Sequence, residues 1–290
     1  SMQNANAAGF HRNTALGYQT MQGVGSNAAT DNSVFGWRAG YSLTTGDNNT
    51  FLGVSAGAAS TDVDRAVAIG TEAMGADNAT SAADGTVAIG WRAGYSITSG
   101  AGNAFLGYRA AYSATDSVDS AIAIGYDAMY SNTDSTGNIA IGYFALRDGS
   151  GGSSTDYNVA IGYAAMRNAS PHISIAIGSN AGQFLKKSAV GAVHIGHEAG
   201  RYASGSYNIS MGYNALKGTS SAPYATGANN TAIGTQAIVA LTSGDSNNAI
   251  GYQAGYLISS GSNNTLMGYQ AGYSLGGTQM NVMIGDYAGA

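Results

Sequence analysis

The sequence has 290 residues and contains no cysteine, so disulfide bonds do not stabilise its fold and thiol chemistry is excluded. Only 9% of the residues are charged and the net charge is −5, which leaves no basic surface of the kind that nucleic acid requires. No apolar run reaches the roughly 18 residues of a membrane-spanning helix. We therefore expect that the chain does not bind nucleic acid and that it has no membrane-spanning segment.

Glycine is abundant, with 44 residues, and sixteen of the glycines follow a large apolar residue at intervals of 16 to 22 residues. The third residue after the glycine is alanine in fifteen of these sixteen repeats. Such a period is typical of a stack of similar supersecondary units. The sixteen glycines are Gly17, Gly36, Gly53, Gly70, Gly90, Gly107, Gly125, Gly142, Gly162, Gly178, Gly196, Gly212, Gly234, Gly251, Gly268 and Gly285.

Each repeat has the pattern of a short strand, a glycine corner and a polar turn. The residue before the glycine is large and apolar, and the residue two positions earlier is mostly β-branched. Alternate strand positions share a face, so this pair is expected to face the core. The residue between them is expected on the opposite face; it is usually alanine, but is also Phe51, Phe105, Leu266, Met283 or His194.

The sequence therefore predicts an all-β fold, a repetitive β-solenoid or β-roll of about sixteen repeats. Whether one or two repeats make one turn of the solenoid stays open. We expect residues 13–290 to form a single solenoid domain. Residues 1–12 are expected to be a lead-in, beginning with Ser1 and Met2, which are typical of a cloning remnant. Because the sequence stops inside a repeat at Ala290, we expect a fragment of a longer protein.

The core of one such stack is expected to be thin. Burying one aliphatic side chain stabilises a fold by roughly 1.5–3 kcal/mol, whereas ordering each residue costs about 1.5 kcal/mol. A second apolar contact would offset this deficit, and the variable face that carries Phe51 and Phe105 offers one. We therefore expect a homotrimer with parallel solenoids around a threefold axis.

Two of the repeats carry a resemblance to known families. Asn158-Val159-Ala160-Ile161-Gly162-Tyr163-Ala164-Ala165 and the equivalent stretch 138–145 resemble the repeats of bacteriophage tail fibres. They are also similar to the Val-Ala-Ile-Gly repeats in the heads of trimeric autotransporter adhesins. The resemblance covers roughly residues 13–290 and implies a trimer of left-handed β-rolls. The tyrosine and the alanine after the glycine are closer to the fibre-type repeats.

Aromatic residues follow the glycine in ten repeats and are expected to stack along the solenoid. The segment Trp37-Arg38-Ala39-Gly40-Tyr41 recurs as Trp91-Arg92-Ala93-Gly94-Tyr95. One interpretation is packing between neighbouring repeats. The other is a glycan-binding stripe, and the candidate residues for it are Trp37, Arg38, Tyr41, Trp91, Arg92 and Tyr95.

His194 is the candidate metal ligand. It replaces the usual alanine on the face expected at the threefold axis, where three copies could hold a metal or an anion; ordinary substitution is the alternative. His197 lies three residues further on, in a possible metal pair. The Asp- and Asn-rich turns lack the ligand pattern of an EF-hand or a calcium β-roll. We expect no cofactor.

The sequence shows no nucleophile–base arrangement or phosphate loop, so we do not expect an enzyme. We expect the structural, receptor-contacting shaft of a phage tail fibre, in the extracellular part of the virion, with host cell-surface glycan or an outer-membrane receptor as partner. The alternative is the head of a bacterial trimeric adhesin on the cell surface. An ice-binding β-solenoid and a polysaccharide depolymerase are more distant hypotheses.

Overall fold

The computed structural model describes residues 12–23, 29–76, 79–115, 118–133, 136–149, 155–186, 189–220 and 224–290. The chain divides into two compact units, and each is described by itself. The first comprises Ser1–Arg147 with Gly151–Ser153, and the second comprises Asp148–Ser150 with Ser154–Ala290. Residues 1–11 of the expected lead-in lie outside the described residues.

The first unit contains eight three-residue strands and a short 3-10 helix, Ser81–Ala83. Each strand pairs in parallel with the next strand along the chain. The strands are β1 Thr14–Leu16, β2 Ser33–Phe35, β3 Thr50–Leu52, β4 Val67–Ile69, β5 Val87–Ile89, β6 Ala104–Leu106, β7 Ile122–Ile124 and β8 Ile139–Ile141.

The second unit repeats this arrangement with eight more parallel strands, again paired in chain order. The strands are β9 Val159–Ile161, β10 Ile175–Ile177, β11 Val193–Ile195, β12 Ile209–Met211, β13 Thr231–Ile233, β14 Asn248–Ile250, β15 Thr265–Met267 and β16 Val282–Ile284.

One repeat makes one turn of the solenoid, here called a coil. Equivalent residues of successive repeats lie side by side, as Val67, Ala68 and Ile69 do with Val87, Ala88 and Ile89. The all-β solenoid predicted from the sequence is therefore confirmed, and the number of repeats per coil is one. Positions within a coil are counted below from the glycine that follows the strand, so that the alanine is at position +3.

The two faces of the strands are the reverse of the sequence prediction. The middle residue of the strand is buried, as in Phe51, Ala68 and Phe105, whereas its two neighbours are exposed or half-buried. The coil is narrow, and the alanine at position +3 also points inward, so small middle residues are required in most coils. The prediction that the flanking aliphatic pair faces the core is wrong.

One larger side chain fills most coils, and it comes from different positions. In several coils it is at position +4, as in Met74, Met129 and Leu216. Where position +4 is glycine, the space is filled by the strand, as with Phe51, or by a residue further on, as with Leu43.

Buried asparagines precede many of the strands and join neighbouring coils. In the second unit the Asn247 amide donates to Oδ1 of Asn230 at 2.9 Å and to the Gly261 carbonyl at 2.8 Å. Its own Oδ1 accepts from the side-chain amide of Asn264 at 2.8 Å. Each amide therefore satisfies buried backbone groups that the narrow coil shields from water.

Candidate functional site

The first predicted glycan-binding cluster lies at the corner after β2. The side chain of Arg38 sits between two aromatic rings, with its guanidinium carbon 5.3 Å from the Trp37 ring centre and 4.4 Å from that of Tyr41. Arg38 forms no ion pair with any acidic residue that the structure describes, and its Nε is buried without a hydrogen-bond partner. Trp37 is 46% exposed. This cluster presents an unneutralised cation beside a partly open indole ring.

The second cluster, at the corner after β5, has the same side chains in a different electrostatic state. The Arg92 guanidinium lies 4.4 Å from the Trp91 ring centre and 5.0 Å from that of Tyr95. Its Nε donates a 2.5 Å hydrogen bond to Glu72 on the preceding coil. This bond raises the pKa of Arg92, so the guanidinium stays charged and is neutralised by a carboxylate. The two clusters are therefore not equivalent.

Stacked rings continue from Trp91 along the following coils, as the sequence predicts. The ring centres of Trp91 and Tyr108 are 4.6 Å apart, and those of Tyr108 and Tyr126 are 4.8 Å apart. Tyr126 and Tyr143 extend the stack at 5.0 Å. Because the rings stack on neighbours in successive coils, a ring such as Tyr108 has both faces covered and offers only its edge and hydroxyl. Stacking on a sugar requires a free ring face, which these inner rings do not have.

A second aromatic stack runs beside the first at position +5. Tyr95 and Tyr112 are 5.0 Å apart, and Tyr112 and Tyr130 are also 5.0 Å apart. Between the stacks, Arg109 donates two hydrogen bonds to the buried carboxylate of Asp127, at 2.8 and 2.7 Å. The bond to Asp127 raises the pKa of Arg109. The charged groups here are paired with one another and neutralise each other.

The coils of β3 and β4 separate the two clusters and carry smaller side chains. With coils about 4.8 Å apart, Trp37 and Trp91 are three coil steps, or about 14 Å, from each other. The bulky side chains of the two clusters therefore flank a shallow depression that is two coils wide. Arg38 lies at the edge of this depression. The residues at positions +1, +2 and +5 of these two coils are Val54, Ser55, Ala58, Thr71, Glu72 and Gly75.

His194 does not lie on an outer face, and its predicted position at the threefold axis is wrong. As the middle residue of β11 it is fully buried in the interior of its coil, and its Nδ1 shares a 2.8 Å hydrogen bond with Oγ of Ser210 on the next coil. Nε2 is buried without a partner, and burial lowers the pKa of His194 to about 4. His197 instead stacks on Tyr213 at 5.3 Å. The two histidines therefore do not converge, and no cluster of three metal-ligating side chains occurs in the described ranges.

Sequence reasoning missed an extended, partly apolar outer surface on the strands that the structure describes. The first and third residues of the strands point outward and form two columns in each unit, here called the strand face. The third residue is apolar in every strand, whereas the first is aliphatic in β4–β12 and β16 and polar in β1–β3 and β13–β15. Away from the ends of the chain, its most exposed side chains are 36–47% accessible: Leu52, Leu106, Ile124, Ile175, Ile177, Ile209, Met211, Ile250 and Met267. The β-branched residues at alternate positions are the signal for this surface, but their alternation alone does not tell which face is outside.

The described part of the chain has no helix that is long and apolar enough to cross a membrane. No known family, curated protein or solved structure matches this chain.

Proposed function

We propose that this chain is a structural segment of a bacteriophage tail fibre, in which three copies associate in parallel through their strand faces. The observation that carries the proposal is the exposed aliphatic face. Isolated soluble proteins rarely expose a contiguous apolar patch larger than about 300–600 Å². In the coils of β4–β8, where both flanking residues are aliphatic, each partly exposed pair contributes on the order of 100 Å², so this part of the first unit reaches about 500 Å², a size at which apolar patches often serve binding.

A parallel copy matches the strand face because it has the same repeat. In the coils of β4–β8 and of β9–β12 the columns present one pair of aliphatic side chains per coil, about 4.8 Å apart along the stack. A partner needs apolar groups at this spacing to cover the face evenly, and another copy of the chain provides them. The tail-fibre assignment rests on the repeat pattern seen in 158–165, which resembles fibre repeats.

Analytical ultracentrifugation tests the association. We expect the wild-type chain to sediment as a trimer, and Ile124→Asp or Ile177→Asp to dissociate it, because a carboxylate buried in an apolar contact is costly. Thr71→Asp, which adds the same charge at an exposed position off the strand face, is the control. A wild-type chain that is monomeric at micromolar concentration contradicts the proposal.

Immunogold electron microscopy tests the location. Antibodies against the chain are expected to label the fibres of virions, in keeping with an extracellular structural role. Labelling of the bacterial surface in cells without phage would support the alternative, an adhesin head.

A second candidate function, binding of a saccharide that carries a carboxylate, is favoured by the cluster around Arg38. An unneutralised guanidinium with a buried, unbonded Nε suits a carboxylate, and Trp37 provides apolar surface beside it. We expect Trp37→Ala and Arg38→Gln to abolish binding on an array of acidic glycans. Trp91→Ala should have little effect, because Arg92 and Tyr108 already contact that ring. Equal losses at both tryptophans would contradict this assignment.

A further inference from the structure

A column of residues with positive φ runs beside the strand face. It lies two residues before each strand, and most of its members tolerate this backbone conformation well. They include Asp31, Asn48, Ser120, Asn229, Ser246 and Asn263, with φ between 52° and 62°, and the glycines Gly85, Gly102, Gly137 and Gly191. Glycine, Asn and Asp adopt the left-handed region most easily, so the composition of the column follows from its backbone.

Three residues in the coils of β9 to β12 do not follow this rule. Tyr157, Ile173 and Tyr207 have φ values of 57°, 51° and 57°. Their exposed fractions are 59%, 54% and 60%. Such a φ is unfavourable for a β-branched or bulky residue, and the bulky residues at position +4 that share it, such as Met74 and Leu216, are buried. Tyr157, Ile173 and Tyr207 therefore each have two free-energy costs: the backbone adopts an unfavourable conformation, and the apolar side chain is exposed to water.

Two of the other unusual members of the column have a local explanation that these three lack, and the remaining one, Met280 before β16, is likewise strained and exposed, with a φ of 59° and 77% accessibility. Arg12 and Arg65 each form an ion pair with an aspartate on the next coil. Ile238, at a different position, has a φ of 47° but is fully buried, so packing offsets its strain. Ile173 gains no comparable burial. Folding of the single chain does not account for it.

The three residues are continuous with the strand face. Tyr157 and Val159 flank the buried Asn158, and both side chains are accessible. The ring of Tyr207 lies over Gly191, where a β-carbon would be 2.9 Å from the ring. The glycine thus leaves room for the ring to extend along the column toward Ile173. In these coils the apolar surface is three columns wide, whereas most other described coils have polar residues or glycine in the third column.

We infer that Tyr157, Ile173 and Tyr207 anchor the contact between copies of this chain, with a second copy covering the widened strand face of the coils of β9 to β12. The inference rests on the proposed parallel association. A second copy is the occupant because the patch extends the same aliphatic columns, carries no charged member and repeats at the coil spacing. Residues that destabilise the isolated chain are expected to have a role in binding a partner.

Substitution by asparagine tests the inference, because asparagine suits the backbone but removes the apolar side chain. We expect Ile173→Asn with Tyr207→Asn to raise the concentration at which the assembly dissociates at least tenfold in sedimentation experiments. Measured where all chains are monomeric, the denaturation midpoint should be unchanged or higher. Ser246→Asn, in the same column outside the cluster, is the matched control and should change neither quantity.

The outcomes separate this inference from the proposed function. A wild-type monomer would contradict both. A wild-type trimer that the double variant leaves equally tight would overturn only the anchor. Should the asparagine variants fail to fold, Ile173→Cys gives a second measurement, because the chain has no other cysteine. A thiol reagent should modify it slowly in the assembly and rapidly after dilution to monomers, whereas Ser220→Cys, in an exposed loop, should react rapidly in both. Equal rates at position 173 in both states would overturn the anchor.

Discussion

The ring of Phe51 lies against the α-carbon of Gly57 in the same coil, so that a β-carbon on Gly57 would be 2.7 Å from the ring. In the next coil the equivalent residues are Ala68 and Met74, and both are buried. Both arrangements place one large side chain inside the coil. In one coil it comes from the middle of the strand, and in the next it comes from position +4. The two positions therefore compensate for one another in volume.

This compensation predicts a rescue. Phe51→Ala should lower the free energy of unfolding by about 3–5 kcal/mol, because it leaves a cavity. Gly57→Met alone should also destabilise, since the methionine collides with the ring. The double substitution recreates the Ala68–Met74 arrangement and should recover at least half of the loss. Denaturant unfolding of the four chains measures this, and additive losses would contradict the compensation.

The glycine corners predict a second effect. Gly90 has a φ of +137°, and a β-carbon there would lie 2.2 Å from the carbonyl oxygen of Gly107 on the next coil. Gly90→Ala should therefore force the coils apart and strongly lower the melting temperature. Gly85→Ala is the control, because its φ is +70° but nothing lies within 4 Å of its β-carbon. Gly85→Ala should lower the free energy of unfolding by only about 1–2 kcal/mol, the cost of holding alanine in the left-handed conformation. Equal effects of the two substitutions would mean that the contact between coils is unimportant.

The buried histidine predicts a dependence of stability on pH. Burial lowers the pKa of His194 from 6.5 to about 4, so the unfolded chain binds a proton more readily than the folded chain between these values. The contribution of His194 to the free energy of unfolding should be complete above pH 6.5 and should fall as the pH is lowered toward 4. The contribution lost is about 3 kcal/mol.

A double variant isolates this contribution. His194→Phe with Ser210→Ala keeps the coil filled, because phenylalanine occupies the same strand position at Phe51 and Phe105. Urea unfolding at pH 7.5 and pH 4.5 should show a smaller difference between the two pH values for this variant than for the wild type. An unchanged difference would show that other groups cause the acid sensitivity.

The buried asparagines that join neighbouring coils predict different losses of stability for substitutions at two adjacent residues. Asn247 is fully buried and bonds to Asn230, Asn264 and the Gly261 carbonyl. Asn247→Ala should cost on the order of 2–4 kcal/mol, because it leaves more than one buried polar group without a partner. Asn248→Ala, at the next position on the exposed side of β14, should change stability by about 0.5 kcal/mol or less. Thermal unfolding of the two variants compares them directly.

Much of the candidate site follows from the sequence pattern, but its chemistry does not. The repeated Trp-Arg-Ala-Gly-Tyr segments predict two equivalent clusters. In the structure only Arg92 is neutralised, because Glu72 lies on the coil before it, whereas Arg38 has no such neighbour. The relevant partners are 17 to 20 residues away in sequence, and only stacking brings them together. The strained Tyr157, Ile173 and Tyr207 were equally invisible, since a positive φ is not apparent at a residue that does not favour it.

The sequence alone determined the coil. The spacing of its glycines establishes the repeat, and alternation of residue types shows where each short strand lies. Tertiary structure alone decided which side of the strand is inside. A period of two divides residues between two faces without distinguishing them, and side-chain size suggested the bulky Ile69 rather than its neighbour Ala68. Closure into a coil reverses that choice, because the interior is too narrow for two aliphatic side chains on every strand. The isoleucines therefore point outward, and the small alanines form the inner wall.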